Sequence, residues 1–170
     1  MDNLRIREAT AADIDNLCGL IFEHGPNPWN YLPPAEVTTH LQQIADGSVS
    51  ALLAERGGEL LGFVSYQRSR QFSRYQPPAR LDLEHAYICE AVTHRAVAGQ
   101  GLGSRLLKQV IAALVEQGIS DIYIDRHEEN AASAGMMRKA GFVEVETYAD
   151  PERRPNGSRC TTLCCLRLHV

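Results

Sequence analysis

Apolar positions along the chain change period several times, and each change marks an element. Leu4-Arg5-Ile6-Arg7 alternates in the manner of a strand. Thr10-Ala11-Ala12-Asp13 resembles a capping box with Asp in place of Glu, and Ile14, Leu17, Cys18 and Ile21 follow at helical spacing. Gly25-Pro26-Asn27-Pro28 breaks that helix. Pro33-Pro34 opens a second one, with Val37, Leu41, Ile44 and Ala45 on one face and Gly47 as the stop. Ala51–Glu55 and Leu60–Tyr66 read as strands flanking Gly57-Gly58, a hairpin signal. The polar stretch from Arg68 to Arg80, with Pro77-Pro78 inside it, reads as a loop, and Ala86–Thr93 is rich in β-formers. Leu102, Leu106, Val110 and Leu114, with Leu107 and Ile111 beside them, predict a long amphipathic helix ending at Gly118. Ile119–Asp125 reads as a strand, Asn130–Ala140 as a helix, and Phe142–Tyr148 and Thr161–Leu168 as two last strands. The order β-α-α-β-β-β-α-β-α-β-β predicts an α/β (α+β) arrangement, a mixed sheet carrying helices.

Composition narrows the class. The 170 residues carry no repeat, low-complexity tract or linker, so residues 1–170 read as a single domain. Hydrophobic residues at 44% and charged residues at 22% place the chain among globular proteins and exclude disorder. Seventeen Lys plus Arg against 21 Asp plus Glu give a net charge of −4, which argues against nucleic-acid binding by bulk electrostatics. The opening Met1–Arg5 lacks an apolar signal-peptide core, and the apolar runs fall far short of the roughly 20 residues that span a bilayer, so no membrane association is expected. Five cysteines, with Cys164-Cys165 adjacent and no CxxC pair, fit reduced thiols in a cytoplasm better than a disulfide framework. His40, His94 and His127 read as exposed polar residues. No histidine has metal-ligand spacing with Cys or Asp, so no metal is expected.

The most informative segment is Ala98-Gly99-Gln100-Gly101-Leu102-Gly103-Ser104, between a strand and the long helix. Glycines there let successive backbone N–H groups approach a ligand, and the helix N-terminus adds about half a positive charge, a combination suited to a phosphate or pyrophosphate. The plainer alternative is a tight strand-to-helix turn without a ligand. A Walker loop requires a Lys after the last glycine, and Ser104 stands there. The dinucleotide fingerprint G-x-G-x-x-G requires glycine at Ser104 or Leu106 and fails at both.

With a second block, Asn130-Ala131-Ala132-Ser133-Ala134-Gly135-Met136-Met137-Arg138-Lys139-Ala140-Gly141-Phe142, the loop resembles the GNAT superfamily of acetyl-CoA-dependent N-acetyltransferases. That family's pyrophosphate loop reads [R/Q]-x-x-G-x-[G/A], matched here by Ala98-x-x-Gly101-x-Gly103, and one helix and one strand separate the two blocks, as the family requires. The resemblance implies a GNAT fold over most of the chain and acetyl transfer from acetyl-CoA to a primary amine by direct attack on the thioester. It implies that acetyl and pantetheine lie along Ala91, Val92 and Thr93, with Ala98 opening the cofactor loop and the diphosphate on the amides of Gly99, Gln100, Gly101, Leu102, Gly103 and Ser104. Asn130, Ser133 and Met137 complete the implied cofactor contacts. Two positions depart from the pattern: Ala98 stands where the family has Arg or Gln, with Arg95 or Gln100 as substitutes, and Met137 stands where a Tyr often serves as general acid. A thiol with a pKa near 8.5 leaves readily as thiolate, so the reaction tolerates a missing acid. Tyr148 and Tyr123 are replacement donors to weigh against plain packing roles.

The resemblance calls for a base, because an amine with a pKa near 10 is protonated at neutral pH. Glu90 leads, at a place where family members often carry a carboxylate, followed by Glu84 and Tyr87. A hydrogen-bonded structural carboxylate is the competing reading. Strict alternation puts Tyr87 and Cys89 on one strand face and Glu90 with Ile88 on the other, unless a bulge intervenes. For the acceptor, Trp29 and Tyr31 in the turn between the first two helices suggest an aromatic wall, beside Glu90 itself, and His24 and His85 adjoin that side. Arg68–Arg80, with Phe72, Arg74 and Tyr75, supplies a second rim whose four Arg favour a carboxylate-bearing acceptor. The expected partner is a small amine such as an amino acid or amino metabolite, and a homodimer is compatible with the pattern. Two alternatives remain open: a non-catalytic acyl-CoA-binding regulatory domain, and a protein or peptide N-terminal acetyltransferase.

Overall fold

The computed structural model describes residues 3–168. Its strands form one seven-stranded mixed sheet in the order β1-β2-β3-β4-β5-β7-β6. The elements are β1 (Arg5–Glu8), α1 (Ile14–His24), α2 (Pro34–Gln42), β2 (Ser50–Arg56), β3 (Glu59–Ser69), β4 (His85–Thr93), α3 (Leu102–Glu116), β5 (Asp121–His127), α4 (Ala131–Lys139), β6 (Val143–Ala149) and β7 (Cys160–Arg167). Pairing is antiparallel throughout except between β4 and β5.

Side-chain alternation on β3 divides the core. Phe63 faces α1 and α2 with Leu17, Ile21, Val37, Leu41 and Leu53. Val64 faces α3 and α4 with Leu106, Leu107, Val110, Ile122, Ile124 and Met137. At the start of α1 the Thr10 backbone N–H donates to Asp13 Oδ2 at 2.7 Å, and the Arg7 guanidinium binds both oxygens of the same carboxylate at 2.9 and 2.8 Å. One acidic residue thus caps the helix entry and ties it to β1.

Two boundaries differ from the periodicity reading for physical reasons. β5 begins at Asp121, two residues later than expected, because Ile119 belongs to the end of α3: Ile119 N–H donates to Leu114 O and Gly118 N–H to Val115 O, with Gly118 at φ +81. This is a Schellman ending, which consumes the apolar residue after the glycine. The stretch read as a loop from Arg68 is partly ordered otherwise. β3 continues through Ser69, and short 3₁₀ turns follow at Ser73–Tyr75 and Pro78–Arg80. Phe72 is buried there against Tyr123, His85 and Tyr87, with ring centroids 4.9, 5.7 and 5.0 Å away.

Candidate functional site

The site begins where β4 and β5 part. Their parallel pairing covers only Ala86–Ile88 against Ile122–Ile124, while β4 stays paired to β3 as far as Thr93. At the parting point Tyr66 faces Ile88 and Ser65 faces Glu90, so Cys89 is an extra residue in a bulge. The bulge overturns strict alternation: Glu90 moves to the face of Tyr87, away from Ile88. Ser65, fully buried on β3, accepts the Glu90 backbone N–H on its Oγ at 3.1 Å, and His40 Nε2 of α2 lies 2.9 Å from the same oxygen.

On the α3/α4 side the gap opens into a groove. Val64, Ala91, Val92, Thr93, Gly103 and Met136 line it around ≈ 180 Å³ of space. A Cβ on Gly103 would stand 3.3 Å from Met136 Sδ, so the glycine lets α3 start close against α4. Gly99 and Gly101 adopt φ +78 and +79, the left-handed region that favours glycine. Gly101 is the N-cap of α3, whose ladder begins with Arg105 N–H to Gly101 O at 3.0 Å, leaving amides 102–104 ahead of it. That geometry suits a diphosphate, since donors and helix dipole act together.

On the α2 side a cleft of ≈ 420 Å³ is bordered by Tyr31, Glu36, His40, Glu90, Asp150 and Arg153. A central chamber shares walls with both openings: Ala91, Val92, Ser133 and Met136 line both the groove and the chamber, and Tyr31, Glu90 and Arg153 line both the cleft and the chamber. Glu90 sits at the junction. Burial pushes its carboxyl up to about 7, with the Asp125 charge adding to the rise and Arg153 and Arg154 opposing it. Asp125 accepts from Tyr87 Oη at 3.0 Å and pairs with Arg153 at 3.3 Å and Arg154 at 3.6 Å. Burial, then the Asp125 charge, holds the Tyr87 phenol protonated well above its ordinary range, so Tyr87 serves Asp125 as a donor. His40 is pushed down by burial and stays neutral near pH 7.

The sequence of residues 14–142 matches the model of the acetyltransferase (GNAT) family. The chain belongs to that family. Among similar proteins of known activity, the L-2,4-diaminobutyric acid acetyltransferase of Methylotuvimicrobium alcaliphilum is 32% identical over 106 residues, 62% of this chain but only 56% of that enzyme. The L-methionine sulfoximine/L-methionine sulfone acetyltransferase of Pseudomonas aeruginosa is 28% identical over 146 residues, covering 81% of this chain and 78% of the relative. The fold is shared with the Salmonella typhimurium acetyltransferase yncA in its acetyl-CoA complex (TM-score 0.74, 20% identity, 99% and 95% of the two chains). It is shared too with the ribosomal-protein-S18-alanine N-acetyltransferase of Escherichia coli (TM-score 0.75, 15% identity, 98% and 95%).

In this GNAT chain the residues named from sequence fall into three groups. The structure brings together Glu90, Tyr31, Ala91, Val92, Asn130, Ser133 and Met137 around the central chamber, with Thr93 and Gly103 in the adjoining groove. Asn130 also caps α4, its Oδ1 accepting Ser133 N–H at 3.2 Å. Ala98, Gly99, Gln100, Gly101, Leu102 and Ser104 form the turn and first helical residues at the head of α3.

Other expectations are displaced. Trp29 does not line the cleft. Its ring packs on His127 at 4.5 Å, and its carbonyl accepts from Arg154 at 3.2 Å. Glu84 lies before β4, exposed, 4.0 Å from Arg68. The second rim is not formed by Arg68–Arg80, because none of its four Arg borders the cleft or the chamber; Arg68 meets Glu84, Arg70 Asp82 O, Arg74 Glu146 and Arg80 Asp121. Tyr123 is fully buried and donates to Gln76 at 2.6 Å. His127, read as exposed, is buried, donating to Asn156 O at 2.7 Å, and His40 and His94 are half-buried. His85 is walled in by Phe72 and Tyr123, apart from the cleft. Arg153, Arg154, Asp125 and His40 were missed. The first two stand in Asp150-Pro151-Glu152-Arg153-Arg154-Pro155, whose local signal is only a turn. Among the described residues no group of three or more His, Cys, Asp or Glu stands together as a metal site, and no helix is long and apolar enough to cross a membrane.

Proposed function

We propose that the chain transfers an acetyl group from acetyl-CoA to the primary amine of a small amino acid. The observation that carries this reading is the slot through the sheet: a groove headed by the glycine turn leads to Glu90, and beyond Glu90 lies a cleft with carboxylates and one arginine. The carboxylates of Glu36, Glu90 and Asp150 draw an ammonium group in, and Arg153, whose pairs with Asp125 and Asp150 both run through Nη1, turns a partly exposed guanidinium to the cleft that pairs with a carboxylate on the acceptor. Glu90, poised about 7, takes the ammonium proton directly or through water. The freed nitrogen attacks the thioester carbonyl, backbone N–H groups along 91–93 steady the oxyanion, and the C–S bond breaks. Such preorganised donors are worth about 3 kcal/mol of barrier. The two relatives named for amino acids support the acceptor class. The five free thiols support the reducing, cytoplasmic setting expected from composition.

Incubating the protein with acetyl-CoA and a library of amines, with free thiol as readout, tests the reading. Amino acids should release thiol faster than diamines lacking a carboxylate, and Arg153→Gln should raise KM for amino acids about tenfold or more while sparing the diamines. Tight coenzyme A binding without thiol release from any amine would favour an acyl-CoA-binding module. Peptides outcompeting small amines in kcat/KM would favour a protein N-terminal acetyltransferase.

A further inference from the structure

Met137 leaves the thiolate without the acid that many GNAT enzymes supply, and the structure places a cation directly behind it. Arg126 lies on β5 two residues beyond Ile124, whose side chain faces α3 and α4, so alternation turns Arg126 to the same side. It is 7% exposed and lines the central chamber with Met137, Ser133 and Cys89. Its Nη1 reaches two sulfur atoms, Cys164 Sγ at 3.2 Å and Met137 Sδ at 3.8 Å, and its Nη2 meets Glu144 at 2.8 Å. Its buried Nε has no hydrogen-bond partner among the described residues. A buried, unpartnered donor on a permanent cation is costly unless something arrives to use it.

Resting on the proposed use of acetyl-CoA, we infer that Arg126 is the group that holds the departing coenzyme A thiolate. A guanidinium does not deprotonate in proteins, so it acts as a fixed positive charge and hydrogen-bond donor. Glu90 has by then handed the ammonium proton on to cleft water; the new C–N bond forms, the C–S electron pair leaves on sulfur, and the second proton of the nitrogen goes to Glu90. Sulfur stays anionic beside Arg126 until coenzyme A departs to solvent and is protonated there. The contacts to Cys164 and Met137 show that this guanidinium already accommodates sulfur acceptors. The other charged or titratable groups near the chamber are Tyr31 before α2, Glu144 on β6, Cys164 on β7, Cys89 and Glu90 on β4, Asp125 and His127 on β5, and Arg153 and Arg154 before β7. Of these, Glu144 and Cys164 bond Arg126 itself, and Asp125, Arg153 and Arg154 form their own ion cluster on the opposite face.

The test is calorimetric affinity for coenzyme A and for desulfo-coenzyme A between pH 6 and 9. A free thiol titrates near 8.5, so a bound state that favours thiolate makes coenzyme A bind more tightly as pH rises toward that value, up to about tenfold per pH unit. Desulfo-coenzyme A meets the same Glu90, so the ratio of the two affinities removes that residue's titration. The ratio should climb with pH in the wild type and in Arg126→Lys, and become flat in Arg126→Gln with desulfo-coenzyme A affinity unchanged. A flat ratio in the wild type overturns the assignment without any variant. A ratio still climbing in Arg126→Gln, or equal weakening of both ligands, overturns it too and leaves Arg126 a structural cation. If neither ligand binds the wild type, the acetyl-CoA reading itself fails.

Discussion

At the scale of single residues, Glu90 is held in tension between stability and chemistry. Its charged form is disfavoured in the fold, and that same cost makes it a proton acceptor near neutrality. Activity as kcat/KM should therefore rise with pH through about 7, and Glu90→Gln should lose that limb; an unchanged profile would remove Glu90 from the base role. The stability effect runs the other way. The native carboxyl titrates at about 7, above the roughly 4.3 of an unfolded chain, so the wild type loses stability as pH rises between those values. Glu90→Gln should accordingly raise the melting temperature at pH 8 and leave it nearly unchanged at pH 4. Glu90 was legible in the sequence from its distance to the glycine turn. Its orientation was not, because a bulge at Cys89 depends on the strand across from it, and Ser65 and His40 that secure the bulge lie far off in the chain.

Among the elements, the turn into α3 and the bulged end of β4 carry the candidate site. A Cβ on Gly101 would meet no protein atom within 4 Å, so the added atom itself finds open space. Gly101→Val instead strains a residue at φ +79, at a cost of order 1–3 kcal/mol, and screens the amides behind it. Coenzyme A affinity should fall at least tenfold while the far-ultraviolet circular dichroism stays the same; unaltered affinity would dissociate the turn from the cofactor. The helices and this turn could be read locally because period and capping are short-range. Ile119 could not, since an apolar residue after a helix-ending glycine suits a strand or a Schellman contact equally. Arg153 and Arg154 were hidden for a related reason: an arginine in a turn acquires meaning only from Asp125, which the sheet brings to it.

Over the whole molecule, the segment from Arg68 to Arg80 is a structural strap. Asp121, 2% exposed, receives Arg80 Nε at 2.8 Å, Arg167 Nη1 at 2.8 Å and Gln76 Nε2 at 3.0 Å. Burial alone would raise its carboxyl, yet those three donors hold it below the usual value. The stability they supply is present above the unfolded carboxylate value, near 3.9, and lost as pH falls through the lower native one. Asp121→Ala unpairs two partly exposed guanidinium groups and should cost about 1–3 kcal/mol, read as a loss of denaturation midpoint without change in the KM for acetyl-CoA. A drop below 1 kcal/mol would mean that the strap contributes little.

In the proposed function the cofactor groove and the acceptor cleft approach Glu90 from opposite faces of the sheet, so the two reactants need not take turns. The thiol beside Glu90 in the chamber wall, Cys89, is pushed far up by burial and by its acidic neighbours Glu90 and Asp125, and so is a poor relay for an acyl group. Double-reciprocal plots at several fixed acetyl-CoA concentrations should then intersect instead of running parallel, and a single conjugate joining both reactants should occupy both doors at once.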